Sequence, residues 1–351
     1  MHKPPGDPWL ARQRLGLCYW QRSCGARAVR APIAWEPALR DALCASEPGI
    51  GLVIQWVILA FLALSAWLVL RTGRISLGQQ AYFGLGAYVA ALITVTGQGT
   101  LPWALVGAML CAGGVAGSVG WLVRHLSGLE YAMATLTLAE LFRLGLSGME
   151  WRVQRPDGQW VGPEGTQGFR QIRWLFEQQF SQQAYLALAG GLLLVALIAL
   201  LQVERTRLGL AMQTVGLDPT LAQAQGVNVH RVRMWTQGVA GALAGLAGGL
   251  YAHQVTYVEP AIFDVMLGVH AVGYAMVGGL ATPLGPLLGS GFDLGLLEAT
   301  RLFEGWRMVI FGGLIALFLR WRPRGLLDEA ALHRFTLLIH PRKRHDRTTL
   351  A

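Results

Sequence analysis

The sequence predicts an all-α, polytopic transmembrane bundle of about eight or nine spans, and three observations carry that prediction. Residues 48–70, 75–123, 178–203 and 234–258 contain no Asp, Glu, Lys or Arg. Each run is long enough for a span of roughly 20 apolar residues, and the second is long enough for two. Hydrophobic residues make up 53% of the 351 and charged residues only 14%, against about a quarter charged in soluble domains. Mean hydropathy is +0.42. The charges also gather in short blocks between the apolar runs: Arg71 and Arg74, Arg124 and His125, 204–207, Arg231 and Arg233, and 320–324. The net charge of +9 therefore reads as membrane topology and not as nucleic-acid binding.

The elements follow in order. Residues 1–49 hold scattered Trp, Cys and Pro and several basic groups without a long apolar run. They lack the apolar core of a signal peptide, and no structure is assigned to them. The first span is 51–70, closed by Arg71. Residues 75–96 contain Ser76, Gln79, Gln80, Gly84 and Gly86 at their start. That composition suits a broken or re-entrant helix lining a cavity and equally a helix packed closely through small residues. Further spans run over 102–123 and 131–148, then a mixed-charge loop over 149–182, then a span over 183–203. A polar segment at 204–234 precedes spans at 235–254, 263–280, 284–297 and 305–319, the last two being short. Small residues recur four apart, as at Gly241, Gly245 and Gly249, a spacing that lets helix backbones approach.

Placing 204–234 in the cytoplasm also places Arg71/Arg74, Arg124/His125 and the Arg-rich tail there, as the positive-inside rule requires. The same count puts the basic N-terminal tail outside, which conflicts with that rule.

Few residues offer chemistry. The two lysines, Lys3 and Lys343, lie in no phosphate-binding loop, and there is no H-E-x-x-H or G-x-S-x-G pattern. No catalytic residue, metal ligand or cofactor is expected. Cys18, Cys24, Cys44 and Cys111 lack metal-ligand spacing and read as unpaired thiols. Glu140 and Arg143 lie one turn apart on a span and can pair. The pair either fixes helix position or forms a polar wall of a pathway. Asp264, His270, Asp293 and Glu298 fall in or beside later spans, where a membrane-interface position explains them. In the 204–234 segment Asp218 is placed to cap a short helix with Pro219 in its first turn and Gly226 after its end. Such a helix either docks in a groove on another protein or is an ordinary connection.

The order of motifs adds a resemblance. Arg-Ile-Ser-Leu-Gly-Gln-Gln-Ala-Tyr-Phe-Gly-Leu-Gly-Ala-Tyr at 74–88 resembles the corresponding stretch of LivM-type permeases, membrane subunits of branched-chain amino-acid ABC importers. Residues 131–143, with Glu140 and Arg143, look like that family's next helix. Gly-Pro-Glu-Gly-Thr-Gln-Gly-Phe at 162–169 resembles its periplasmic loop, 205–230 its coupling loop and 241–253 a later helix, and 277–289 and 322–326 complete the series.

The resemblance covers 50–327 and implies a permease domain there, with a cytoplasmic coupling loop at 204–234 and a cytoplasmic tail at 328–351. It implies that Asp218 to Val227 docks on an ATPase subunit, with Ala222 and Gly226 at the tight contacts. Ser76, Gln79, Glu140 and Arg143 become candidate pathway or helix-pairing residues.

The partners implied are a LivH-type permease, two ABC ATPase subunits, a periplasmic solute-binding protein and the lipid of a bacterial inner membrane. The expected solute is a branched-chain amino acid, or urea or a short amide. An ion-coupled secondary transporter of a small polar solute is the alternative. Three departures stand out. Gly216, Leu217, Pro219 and Thr220 occur where the family has charged residues, and Gln79 replaces a histidine. The basic tail occupies the place of an apolar first helix, as a truncated or miscalled start would produce.

Overall fold

The computed structural model describes residues 36–299 apart from 97–98, 152, 155–159, 170–171, 173 and 179, together with 312, 313 and 320. It divides into Met1–Gly49 and Ile50–Ala351. The described part of the first unit is helical, and the second unit is the bundle. The span expected at 305–319 apart from 312 and 313, the Arg-rich tail beyond Arg320 and the side chain of Glu298 lie outside the described residues.

Helix α1 (Glu36–Leu70) carries the apolar run ending at Arg71. In its membrane-length portion, Gly49–Leu70, 72% of the most apolar stretch is enclosed by the chain, against 17% for α6 (Gln182–Glu204). The chain thus has a central helix and a peripheral one. Among the described residues, these and α3 (Leu101–Leu122) are the helices long and apolar enough to cross a membrane by length and composition. The remaining membrane elements are α2 (Gln79–Thr96), α4 (Gly128–Ser147), α9 (Val229–Val255), α10 (Val265–Gly278) and α11 (Leu284–Ala299).

The stretch that invited a broken-helix reading resolves into two parts. Residues 71–73 turn, 74–78 lack regular structure, and α2 then runs unbroken from Gln79. Irregular backbone next to a span is tolerated because protein buries it: Arg74 and Ser76 are buried and Gly78 N–H donates to Ser76 Oγ at 3.4 Å. Downstream, the small residues do bring helices together. A Cβ on Gly86 would stand 2.2 Å from the Gly245 carbonyl oxygen, and one on Gly245 would stand 2.4 Å from the Ala112 Cβ and 2.7 Å from the Ala108 carbonyl oxygen. α9 is therefore clasped between α2 and α3 at backbone contact. Lipid offers no hydrophobic drive to join two apolar helices, so such van der Waals contact is what associates them.

α10 and α11 form a tight hairpin in which a Cβ on Gly278 would lie 1.9 Å from the Gly285 carbonyl oxygen. At 14 residues α10 rises roughly 21 Å, short of the ~30 Å hydrocarbon thickness. The span expected at 263–280 thus overruns the helix at both ends, where Asp264 caps it and Gly279 begins the hairpin turn.

Between α4 and α6 the chain makes a two-residue antiparallel pair, β1 (Val153–Gln154) with β2 (Trp160–Val161), and a short helix α5 (Trp174–Glu177). Phe169 and Val258 exchange backbone hydrogen bonds at 2.6 and 3.0 Å, tying this loop to the α9–α10 connection. The opposite face carries the 71–78 turn, the 123–127 loop, residues 204–228 and the 279–283 turn. Arg71 binds that face together: its guanidinium donates to the carbonyls of Leu280 and Ala281 at 2.5 and 2.8 Å and pairs with Glu204 at 3.1 Å. Arg71, Arg74, Arg124, Arg205, Arg207, Arg231 and Arg233 all lie at this face, so the arginine blocks converge as the topology count expects.

Candidate functional site

Residues 204–234 fold as α7 (Arg207–Leu217), α8 (Pro219–Ala224) and the first turn of α9. The short helix is set by local chemistry. Asp218 has extended backbone and its carboxylate accepts from Thr220 N at 2.8 Å, Leu221 N at 3.1 Å and Thr220 Oγ1 at 2.6 Å. Pro219 follows at the position where a missing N–H costs nothing. The donation from the Thr220 hydroxyl, then from the Leu221 and Thr220 amides, holds the Asp218 carboxyl below the usual carboxylate range. The end is equally defined. Val227 N–H donates to Ala222 O at 3.0 Å across Gly226, whose φ of 84° is open to glycine at no steric cost.

These four residues divide between two roles. Ala222 is 1% exposed and Val227 is part-buried, and both pack on Val215 and Val229 inside the chain. Asp218 and Gly226 are exposed, beside Leu217 at 80% and Leu221 at 57%. The outward surface of the segment thus includes Leu217, Asp218, Leu221 and Gly226, with Ala222 and Val227 supporting it from beneath.

A link that sequence reasoning missed joins this segment to the membrane helices. A Cβ on Gly216 would stand 2.3 Å from the Arg71 carbonyl oxygen, and one on Gly73, with φ of 73°, would stand 2.8 Å from the Gly216 carbonyl oxygen. The end of α7 and the turn leaving α1 therefore touch backbone to backbone. From that turn Arg74 lies 4.6 Å over the Tyr131 ring and donates to the Arg124 carbonyl at 2.9 Å. The ring face and the carbonyl together receive a cation that is otherwise buried.

Past Ser76, Leu77 N–H donates to Thr135 Oγ1 at 3.2 Å. Gln79 is fully buried, with Ser65 Oγ 2.6 Å from its Oε1 and 2.7 Å from the Ala240 carbonyl oxygen. Ser65, Gln79 and Ala240 thus meet at the junction of α1, α2 and α9. A few residues on, Tyr131 OH donates to Gln237 Oε1 at 3.0 Å and Gln237 Nε2 donates to Tyr82 OH at 3.2 Å. Only residue order, not spacing, could have hinted at these last two bonds, because each joins positions more than 100 apart.

Glu140 and Arg143 do pair. Arg143 Nε donates to both carboxylate oxygens at 2.9 and 3.0 Å, and Nη2 makes a further contact to Oε1. The pair is partly exposed on the outer side of α4, in line with the exposed Met133, Leu141 and Leu144. Asp264 caps α10 by accepting from Leu267 N at 3.1 Å. Among the described residues no three His, Cys, Asp or Glu side chains group as metal ligands would.

Residues 50–319 match the family described as branched-chain amino acid transport system / permease component. The chain is 27% identical over 276 residues to the high-affinity branched-chain amino acid transport system permease protein LivM of Escherichia coli K12, covering 73% of this chain and 64% of that protein. It is 27% identical over 281 residues to the probable branched-chain amino acid transport permease protein LivH of Methanocaldococcus jannaschii, covering 77% of this chain and 86% of that one. It is also 26% identical over 295 residues to the galactofuranose transporter permease protein YtfT of Escherichia coli K12, at 83% and 77% coverage. The match thus spans less than two thirds of the length of the LivM relative. No solved structure matches the chain. A helical multi-pass bundle whose family match begins where its membrane unit begins and runs on past α11 places this chain in the branched-chain amino acid transport permease family.

Proposed function

We propose that the chain is one membrane-spanning subunit of an ATP-driven importer in a bacterial inner membrane, and that α7–α8 is where an ATPase subunit docks. The observation that carries this reading is the short helix itself. It is fixed at both ends, exposes Leu217 and Leu221 on the arginine-rich face, and rests through Gly216 on the turn after α1. A solvated connecting loop has no need of all three features. A helix that must transmit force has, because its end has to move the membrane helices when its outer surface is pushed.

On this reading the arginine-rich face is cytoplasmic. ATP binding in two ATPase subunits moves α8, and the Gly216–Gly73 contact passes the motion to residues 71–78. The buried Ser65–Gln79–Ala240 junction carries it on to α1, α2 and α9. The Glu140–Arg143 pair faces out of this chain on α4, where charge in lipid is costly and a partner or water path is the favoured neighbour. We assign that face to a LivH-type partner permease and the solute path between the two. A periplasmic binding protein delivers the solute, a branched-chain amino acid or a related small polar molecule such as urea or a short amide. The family match and the LivM and LivH relatives support the amino-acid assignment.

Gly226→Trp places a bulky side chain on the docking surface, where a Cβ on Gly226 would meet no atom within 4 Å. ATP-driven uptake should be abolished with the protein still in the membrane, whereas Gly226→Ala, which adds strain at positive φ with little bulk, should keep most of it. Full uptake by Gly226→Trp would rule the docking role out.

A further inference from the structure

Between α3 and α9 an open, mainly apolar groove of about 600 Å³ is lined by Gly113, Gly114, Gly117, Ser118, Trp121, Met234, Trp235 and Gly238. Its two tryptophans stand at the arginine-rich end, 56% and 68% exposed, as amphipathic rings at a membrane–water boundary do. Directly beyond them the groove is crowned by arginine and histidine side chains. The Arg124 guanidinium lies 5.0 Å over the Trp121 ring, and its Nε is 2.9 Å from His125 Nε2. The His125 and His230 rings are 5.7 Å apart. On α9, His230 precedes Met234 and Arg231 precedes Trp235 by one turn, which puts each above a groove-lining residue on the same helix face.

Among the described residues the ion pairs are Arg71–Glu204 and Arg143–Glu140, so neither Arg124 nor Arg231 has an acidic partner there. An apolar slot opening sideways with unmatched positive charge at its interfacial end is complementary to one kind of molecule. We infer that this groove is a binding site for an anionic phospholipid of the leaflet at the arginine-rich face. An acyl chain would lie over Gly114 and Gly117, and the headgroup phosphate would receive Arg124 and Arg231. A transmembrane helix of a neighbouring subunit would have to carry its own acidic residue at that end to answer those arginines, whereas an anionic phospholipid brings the charge in its headgroup.

The test uses the full-length chain, extracted with the subunits that accompany it. It is equilibrated with phosphatidylglycerol or phosphatidylcholine of matched acyl chains and read by native mass spectrometry. Wild type should prefer phosphatidylglycerol by about thirtyfold, given the usual worth of two arginines near an anionic headgroup. Arg124→Gln with Arg231→Gln should bring the preference near unity while lipid is still retained. Gly114→Leu should lose both lipids; nothing lies within 4 Å of a Cβ there, so the new side chain fits the fold and fills the slot. Soluble glycerol phosphate should fail to displace the lipid. Equal retention of the two lipids by wild type would overturn the inference, as would an unchanged preference in the double variant. Displacement by glycerol phosphate would assign the site to a free anion instead. A complex that carries no phosphatidylglycerol while a second permease subunit is bound would overturn the inference and assign the groove to that subunit.

Discussion

Gly216 shows how one residue changes meaning between sequence and structure. In the sequence it is one of the residues at which this chain departs from the charged pattern expected from the family it resembles. In the fold it is the point where α7 meets the Arg71 carbonyl, at a distance that excludes any side chain. Asp218 and Pro219 were fully legible, because a cap and a first-turn proline act within four residues of themselves. Ala222 was not, since its smallness serves contact with Val215 and Val229, which local sequence does not reveal. The lowered Asp218 carboxyl makes a pH prediction. A depressed acid contributes while ionised and loses its contribution only as pH falls through its lowered value. Leu221 amide protection should therefore persist from neutral pH down through the ordinary carboxylate range and fall only below it. In Asp218→Asn, which can still accept a hydrogen bond, protection should be independent of pH; hydrogen exchange followed by mass spectrometry measures both. For the outward pair on α4, Arg143→Ala should cut uptake more than Glu140→Gln, because it strands a carboxylate in the bilayer. Equal uptake by both variants and wild type in a vesicle assay would remove the pair from the path.

At the scale of elements, the apolar runs gave span limits within three residues for α3, α4 and α6, whereas α9 begins at Val229, six residues before the predicted 235 and inside the polar segment. Two features escaped. The unwound stretch at 74–78 and the helix after it share one composition, so only tertiary burial separates them. The shallow α10–α11 hairpin reads like any apolar segment until its glycines are seen against each other. Close packing has a clear consequence: Gly245→Val drives a branched side chain into Ala112 and the Ala108 backbone. Overpacking of this kind costs about 1–3 kcal/mol, and the melting temperature of the detergent-solubilised protein should drop accordingly. Gly117→Ala, with its nearest neighbour at 3.9 Å, should leave it unchanged. The Gly216 contact predicts a different phenotype. Gly216→Ala should leave the protein inserted and the ATPase subunits bound, yet uncouple their hydrolysis from uptake, as measured by the ratio of phosphate released to solute imported.

For the whole molecule, the all-α membrane class and the family were legible from charge distribution and motif order, and both hold. The convergence of arginines on one face agrees with the positive-inside count for the described loops. Solute identity is of another kind. Proteins similar to this chain are named for branched-chain amino acids and for galactofuranose at nearly the same identity, so similarity at this level does not single out a solute. On the proposed reading, ATP hydrolysed in partner subunits drives this chain through α8. The most direct test reconstitutes the chain with its partner permease, ATPase subunits and binding protein in vesicles and follows labelled leucine uptake with and without ATP, for wild type and for Leu221→Glu. Uptake that requires ATP, ignores an imposed proton or sodium gradient and disappears in Leu221→Glu is the predicted result. Uptake that proceeds without ATP, or that Leu221→Glu leaves intact, would contradict it.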